Sequence, residues 1–351
     1  MSRAPHPPRT IFGLFDKRIE GDDALLELAR AEFRQIGLGV EVAAHTPEQL
    51  EGLLRFRPSP ETPAMAHLPR DLRLADPRSR ERILDFAGRF AGQVNGWVMH
   101  DHPEMITRAS ESREGARELD TRLQRIAPAP ALFIEYACGL EPEAYAGFLA
   151  TLGGLDRISA CIDVGHVGIW QTRRAYATRH AGADVCALKS RSSGLPRLMA
   201  DVQMAVASAL PGVLRLIAHL SALGKPVHYH LHDAHPLSTV SSFGVSDHLS
   251  FLAEIPLAFE FGGRRSAPLM FGPAGLAQIL AQALGHNETN PPSFTLEIHP
   301  AGERAPLGER APLFAHWRDK TNAEKMRGWL TTLGQNHRLL LESLPMRLNH
   351  R

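Results

Sequence analysis

Cysteine is scarce: Cys138, Cys161 and Cys186 are the only three in 351 residues, with no C-x-x-C spacing. That excludes a disulfide framework and a thiolate zinc site, and fits a reducing cytoplasm. Aromatics make up only 7% of the chain, and neither sign of charge is in excess, since 39 basic and 38 acidic residues leave a formal net charge of +1. No global field draws such a chain to nucleic acid or to a membrane, although a local basic groove is compatible with a balanced total. Uncharged apolar runs of 18 residues are missing too; the nearest, residues 210–223, contains Arg215 and His219. The first nine residues are rich in Pro and Arg and lack the apolar stretch of a secretory signal. A soluble cytoplasmic protein is expected, with a small-molecule substrate and room for homo-oligomers. The phosphate-binding patterns G-x-G-x-x-G and G-x-x-x-x-G-K and the nucleophile pattern G-x-S-x-G are also absent, which disfavours a dinucleotide-binding sheet, a nucleotide kinase and a serine hydrolase.

What the chain does have is eight short apolar runs, at about 10–15, 40–42, 63–67, 97–100, 131–135, 158–163, 226–232 and 294–298. Helical patterns stand between them, at about 22–36, 46 onward, 76–94, 111–126, 141–152 and 274–284, with a last one at 322–344. Thr46 followed by Pro47 and the cap residue Asp76 mark two of the starts. Parallel strands need such crossovers, and eight repeats close most naturally as an α/β (β/α)₈ TIM barrel. One domain is expected over 1–351, with the barrel at about 10–345. Two further helical patterns, 196–210 and 213–223, predict a helical insertion at about 170–224 after strand six, and long loops follow strands seven and eight. The eighth loop repeats one hexapeptide, at 302–307 and 308–313, too short for a repeat array.

The carboxyl ends of barrel strands converge on one face, so the residues that end these runs become neighbours: His67, His100, Glu135, Asp163, His230 and Glu297. All six are carboxylates or imidazoles. Hard oxygens suit Mg or Mn, and imidazole also serves Zn or Co, so a divalent metal is expected. His228, His230 and His232 share a face by alternation, as do Cys161 and Asp163; if Glu135 points inward, Phe133 does too and forms a packed layer beneath it. Asp163 and His166 make a D-x-x-H. Between strands seven and eight, Gly262-Gly263-Arg264-Arg265 marks a candidate anion site, with an exposed turn as its alternative. The His232-Asp233 pair is a candidate support for His230, Asp101, His102 and Glu104 follow strand four, and Trp97 and Trp170 flank the site, although core packing is the commoner fate of tryptophan. Cys161 reads as a small buried hydrophobe.

In order along the chain, Phe133-Ile134-Glu135, Cys161-Ile162-Asp163-Val164-Gly165-His166, Val227 to Asp233 and Phe294-Thr295-Leu296-Glu297 resemble the fifth-strand glutamate, D-[TV]-G-H, H-x-H-x-x-D and closing-glutamate elements of the xylose-isomerase-like TIM-barrel superfamily. That superfamily includes sugar isomerases and epimerases and endonuclease-IV-type AP endonucleases. The resemblance implies one metal on Glu135, Asp163, His230 and Glu297. It implies catalysis by Glu135 and Glu297 as proton-transfer groups with His166 orienting substrate, and a carbohydrate-like carbonyl substrate; position in the loops and beside the site, apart from the resemblance, nominates Arg264, Arg265, His232 and Trp170 as its contacts. The endonuclease branch implies more: a second metal at His67 and His100, with Asp247 and His248 where that branch has an Asp-x-His pair. Here the two residues are adjacent. Isomerase or epimerase is the first expectation, a metal-dependent phosphodiesterase the second, and a barrel used only for binding the third.

Overall fold

Eight parallel strands hydrogen-bond into a closed barrel: β1 (Ile11–Leu14), β2 (Gly39–Ala43), β3 (Ala64–His67), β4 (Gly96–His100), β5 (Ala131–Glu135), β6 (Ile158–Asp163), β7 (His228–Leu231) and β8 (Ser293–Leu296), each paired with its neighbour in sequence, and β8 with β1. The computed structural model describes residues 11–14, 22–185, 195–234, 240–241, 244–245, 248–252, 255–261, 264–267, 270–285, 290–298 and 323–344. The repeated hexapeptide, Cys186, Asp247 and the side chains of Arg264 and Arg265 lie outside the described residues.

The strands are buried on both faces, which is why they read as short continuous apolar runs and not as a strict alternation. Within that burial, parity still decides which way each side chain goes. Phe12, Met65, Val98, Phe133 and Cys161 form a separate apolar cluster, while Leu132, Ile134, Ala160 and Ile162 join the main core shared with the helices. The five are therefore the barrel's floor. Two residues beyond four of them stand His67, His100, Glu135 and Asp163, so the expected layer under Glu135 is present.

The outer ring begins with α1 (Asp23–Ile36), α2 (Pro47–Leu54) and α3 (Pro77–Arg89), capped by the side chains of Asp22, Thr46 and Asp76. It continues through α4 (Glu104–Thr107), α5 (Ala109–Leu123) and α6 (Pro142–Ala150). The β6-to-β7 connection holds three helices, α7 (Val164–Arg179), α8 (Leu195–Val206) and α9 (Ala209–Ser221). The ring is completed by α10 (Gly272–Gly285) and α11 (Ala323–Ser343), and α9 packs between α6 and α10, the place of the crossover helix. The excess over a minimal barrel is thus α7 and α8.

The helical stretch Ala200–Ser221 is long and apolar enough, with a mean hydropathy of 1.4, to cross a membrane by composition. Its second half packs inward, with Ala209, Val213, Leu216, Ile217 and Leu220 buried against the ring. After β7 the chain makes two small antiparallel ladders, Val240–Ser241 with Gly244–Val245 and Ile255–Phe261 with Arg264–Ala267.

Candidate metal centre

Asp163 ends β6 and is at the same time the N-cap of α7, its Oδ1 accepting the His166 backbone N–H at 2.8 Å. The D-x-x-H spacing is therefore a helix cap, which delivers the third helical residue to the strand ends. Gly165 makes the close approach possible, since a Cβ there would stand 1.9 Å from His232 Cε1. The His166 ring donates from Nδ1 to the Tyr136 carbonyl at 3.2 Å, and its Nε2 has no hydrogen-bond partner.

Around Glu135 the contacts divide by oxygen. Oε2 lies 3.0 Å from His67 Nε2 and 3.2 Å from His100 Nε2, yet accepts no hydrogen bond. Oε1 lies 3.4 Å from His230 Nδ1, which is also 3.0 Å from Glu297 Oε2 and is likewise without a hydrogen bond. The other oxygen of Glu297 stands 3.5 Å from His248 Nε2. His248 reaches the site from the loop after β7, because Asp233 and Leu249 exchange backbone hydrogen bonds at 2.8 and 2.9 Å.

Buried lone-pair atoms that close on one another without hydrogen-bond geometry are what donors to a shared cation show, as tetrahedral ligands about 2.0–2.1 Å from zinc stand roughly 3.4 Å apart. Among the described residues five sets of donor atoms lie within 4.8 Å of one another: three overlap along the strand ends, namely His67, His100 and Glu135; Glu135, Asp163, His230 and Glu297; and Asp163, His166, His232 and His248; and two lie beneath them, Glu41 with His67 and His230, and Cys161 with His228 and His230. Glu135 and Asp163 each belong to two. The residues present fit divalent cations, hard carboxylate oxygen mixed with imidazole.

Electrostatics agrees. Burial opposes charge on Glu135, but His100, His67 and His230 hold its carboxyl well below the usual range. Burial likewise works against a charged His230, and the acidic groups around it, Cys161, Glu41, Glu135 and Glu297, push its imidazole well above the ordinary value. His232 is carried up to about 9 against its burial by Asp163, to which its Nε2 donates at 2.9 Å.

One participant was missed in the sequence. Glu41, fully buried in the middle of β2, accepts from His230 Nε2 at 3.0 Å and His228 Nε2 at 3.1 Å, and from the Thr295 hydroxyl. Its signal was faint: Val40-Glu41-Val42 is a lone carboxylate in a strand buried on both faces.

Other expectations are placed differently by the structure. Asp233 does not support His230; its carboxylate takes the backbone N–H groups of Ala234, Met270, Phe271 and Gly272 and ties the loop to the start of α10. His232 bonds Asp163 and the Asp233 carbonyl, so both its nitrogens are engaged by protein. Trp97 is buried beside Phe86 and Phe90, outside the barrel. Trp170 packs under the Arg174 guanidinium at 5.1 Å and lines a cleft with Arg173, Ala183 and Asp184, with none of the metal-centre residues in its wall. Asp101 accepts from Ala137, Gly139 and Leu140 and fixes the loop after β5, while His102 meets Arg73 Nη1 at 2.7 Å. Arg264 falls on a short hairpin strand with Arg265.

No family model matches the chain, and no curated protein matches its sequence. Solved structures with the same kind of barrel do. A protein of Sinorhizobium meliloti 1021 is 11% identical with a TM-score of 0.47, covering 94% of this chain and 98% of its own. A D-allulose 3-epimerase from Methylomonas sp. is 11% identical with a TM-score of 0.46 over 94% and 99%. A xylose isomerase-like TIM barrel protein from Mycobacterium smegmatis, in complex with magnesium, is 12% identical with a TM-score of 0.42 over 94% and 98%. Xylose isomerase-like barrels, the kind the sequence resembles, are thus among the structures to which this chain is similar.

Proposed function

We propose that this chain is a divalent-metal-dependent enzyme whose centre holds more than one cation, and that hydrolysis of a phosphoester is its reaction class. One observation carries the reading: the two oxygens of Glu135 face different donor sets, Oε2 toward His67 and His100 and Oε1 toward His230. A glutamate that moves a proton to and from carbon must keep one oxygen for the substrate. Here both oxygens of Glu135, and both of Glu297, are turned toward imidazoles.

Bound cations would supply Lewis acidity and charge for clamping a phosphoryl group in line. The chain's own residues do the rest. His67 and His100 flank one side of Glu135, Glu297 and His230 the other, and Asp163 joins that set to His166 and His248. His232 holds Asp163 Oδ1, leaving Oδ2 without a hydrogen bond. Because strands fix most of these groups, little rearrangement is needed when an anionic substrate arrives.

Elemental analysis of purified, metal-replete protein tests this, together with turnover of a nitrophenyl phosphodiester and of abasic-site DNA. Two or three cations per chain with phosphoester cleavage are expected. One cation per chain and no cleavage of either substrate would overturn it. A second reading, a single-cation sugar isomerase or epimerase, is favoured by Glu135, Asp163, His230 and Glu297 forming a complete four-donor set by themselves. Exchange of a substrate C–H for deuterium from solvent by the one-cation enzyme would identify it.

A further inference from the structure

Beneath the donor ring lies a buried polar group that the proposed chemistry does not use. Glu41 is fully buried, sits 189 residues from His230, and accepts the Nε2 protons of both His230 and His228 at 3.0 and 3.1 Å, with the Thr295 hydroxyl as a third donor. His228 is closed off in turn, its Nδ1 taking the Ser293 hydroxyl at 2.7 Å. Of the ring nitrogens of these two histidines, Nδ1 of His230 has no hydrogen bond, and it lies between Glu135 and Glu297.

We propose that Glu41 is the positioning residue of the centre, fixing the His230 ring with Nε2 toward the barrel floor and Nδ1 toward the cation shared with Glu135 and Glu297. Burying a carboxylate costs several kcal/mol unless it is paired and hydrogen-bonded. An apolar residue would fill the same space in the floor, which elsewhere is made of Phe12, Met65, Val98, Phe133 and Cys161. The carboxylate does what an apolar residue cannot: it chooses the tautomer and face of a ligating imidazole and raises its basicity, as carboxylates behind metal-bound histidines do. His228 and Thr295 then hold the carboxylate itself in one orientation.

This inference rests on His230 being a cation donor. The test uses the metal-free full chain titrated with zinc alone against a chelating dye, with thermal melting of each metal-free variant alongside. Glu41→Gln keeps the shape and removes the charge; it is expected to weaken the site served by His230 by about 10–100-fold, while the metal-free chain, having lost a buried pair, melts lower than wild type but still in one cooperative transition. Thr295→Val, which loses a contact to Glu41 and none to His230, is expected to stay within about threefold, well under that loss. Should Glu41→Gln fail to fold, Glu41→Asp, with the carboxylate drawn back from His230, is held to the same expectation. Zinc binding by the glutamine or aspartate variant within threefold of wild type overturns the inference, and so does an equal loss in Thr295→Val, which would mark a packing role. A wild-type chain that binds no cation sinks the metal reading as well; tight wild-type binding with an unaffected Glu41→Gln sinks this inference alone.

Discussion

Shared carboxylates make a prediction that separates residues of the same type. Along the strand ends Glu135 and Asp163 each join two donor sets, whereas Glu297 belongs to one, and His67 to one there and to the set beneath with Glu41 and His230. Glu135→Gln and Asp163→Asn are expected to cost two cations per chain by elemental analysis, His67→Ala and Glu297→Gln one. An equal loss from all four variants would mean that the carboxylates do not bridge. Gly165→Ala makes a different point, because its Cβ would overlap the His232 ring, 1.9 Å from Cε1. Overpacking of that kind costs about 1–3 kcal/mol in denaturant unfolding, and here it also pushes His166 off the strand ends. At this scale the sequence was legible where a residue ended an apolar run: His67, His100, Glu135, Asp163 and His230 were all findable by position. Glu41 was not, because alternation cannot tell an inward carboxylate from an outward one when both faces of the strand are buried.

Among the elements, the described part of the loop after β7 is held by two buried side chains: Asn336 of α11, which accepts the Phe251 N–H and donates to Ser250 Oγ, and Asp233, next to the strand end. Asp233 takes four backbone N–H groups from residues 234 and 270–272, and its backbone pairs with Leu249, next to His248. Asp233→Ala leaves those buried donors without their acceptor, and with about 1–3 kcal/mol for each unsatisfied group that water does not reach, a loss of about 2–4 kcal/mol is expected. The His248 donor should be lost with the loop, while His67, His100 and Glu135, carried by strands, keep their cation. Full metal content in Asp233→Ala would show that the clamp is not what places His248. Helix α7 shows why some elements escape the sequence. Val164 to Gly168 reads as a loop, with two glycines and two β-branched residues, and helix propensity alone would not start there. Capping by Asp163 and burial of Val164, Val167 and Ile169 override it. Helix α11 adds a pH dependence of its own. His337 is buried, and burial lowers its pKa below the ordinary 6.5, so the unfolded chain binds the proton more readily than the folded one. Stability is therefore full above the unfolded value and is lost as pH falls below it through the lower pKa of the folded chain. His337→Leu should flatten the decline of stability between neutral and mildly acidic pH; an unchanged slope would place the titrating groups elsewhere.

For the whole molecule, the centre is a concentration of negative charge in the middle of the barrel. Glu41, Glu135, Asp163 and Glu297 are all buried there, and in the metal-free chain the imidazoles of His230 and His232, both held above their ordinary pKa by these carboxylates against the cost of burial, supply countercharge. Cations that bind only the folded chain add stability by mass action, about 2.7 kcal/mol for each site at a free concentration a hundredfold above its Kd. At about 2.1 cal/mol/K per residue, a chain of 351 residues gains roughly 1.4 °C in Tm per kcal/mol. Chelation of the native, metal-loaded protein should therefore lower Tm by about 3–4 °C for one site and by more for a multinuclear centre, with full recovery when the metal is returned. The graded form of the experiment is the sharper one. If Glu135 joins two sets, the Tm of wild type should keep rising with zinc through more than one equivalent, and that of Glu135→Gln should level off earlier. A wild-type curve that saturates at one equivalent would return the site to Glu135, Asp163, His230 and Glu297 alone, and with it the isomerase reading, since His67, His100 and His248 would then face a substrate rather than a metal.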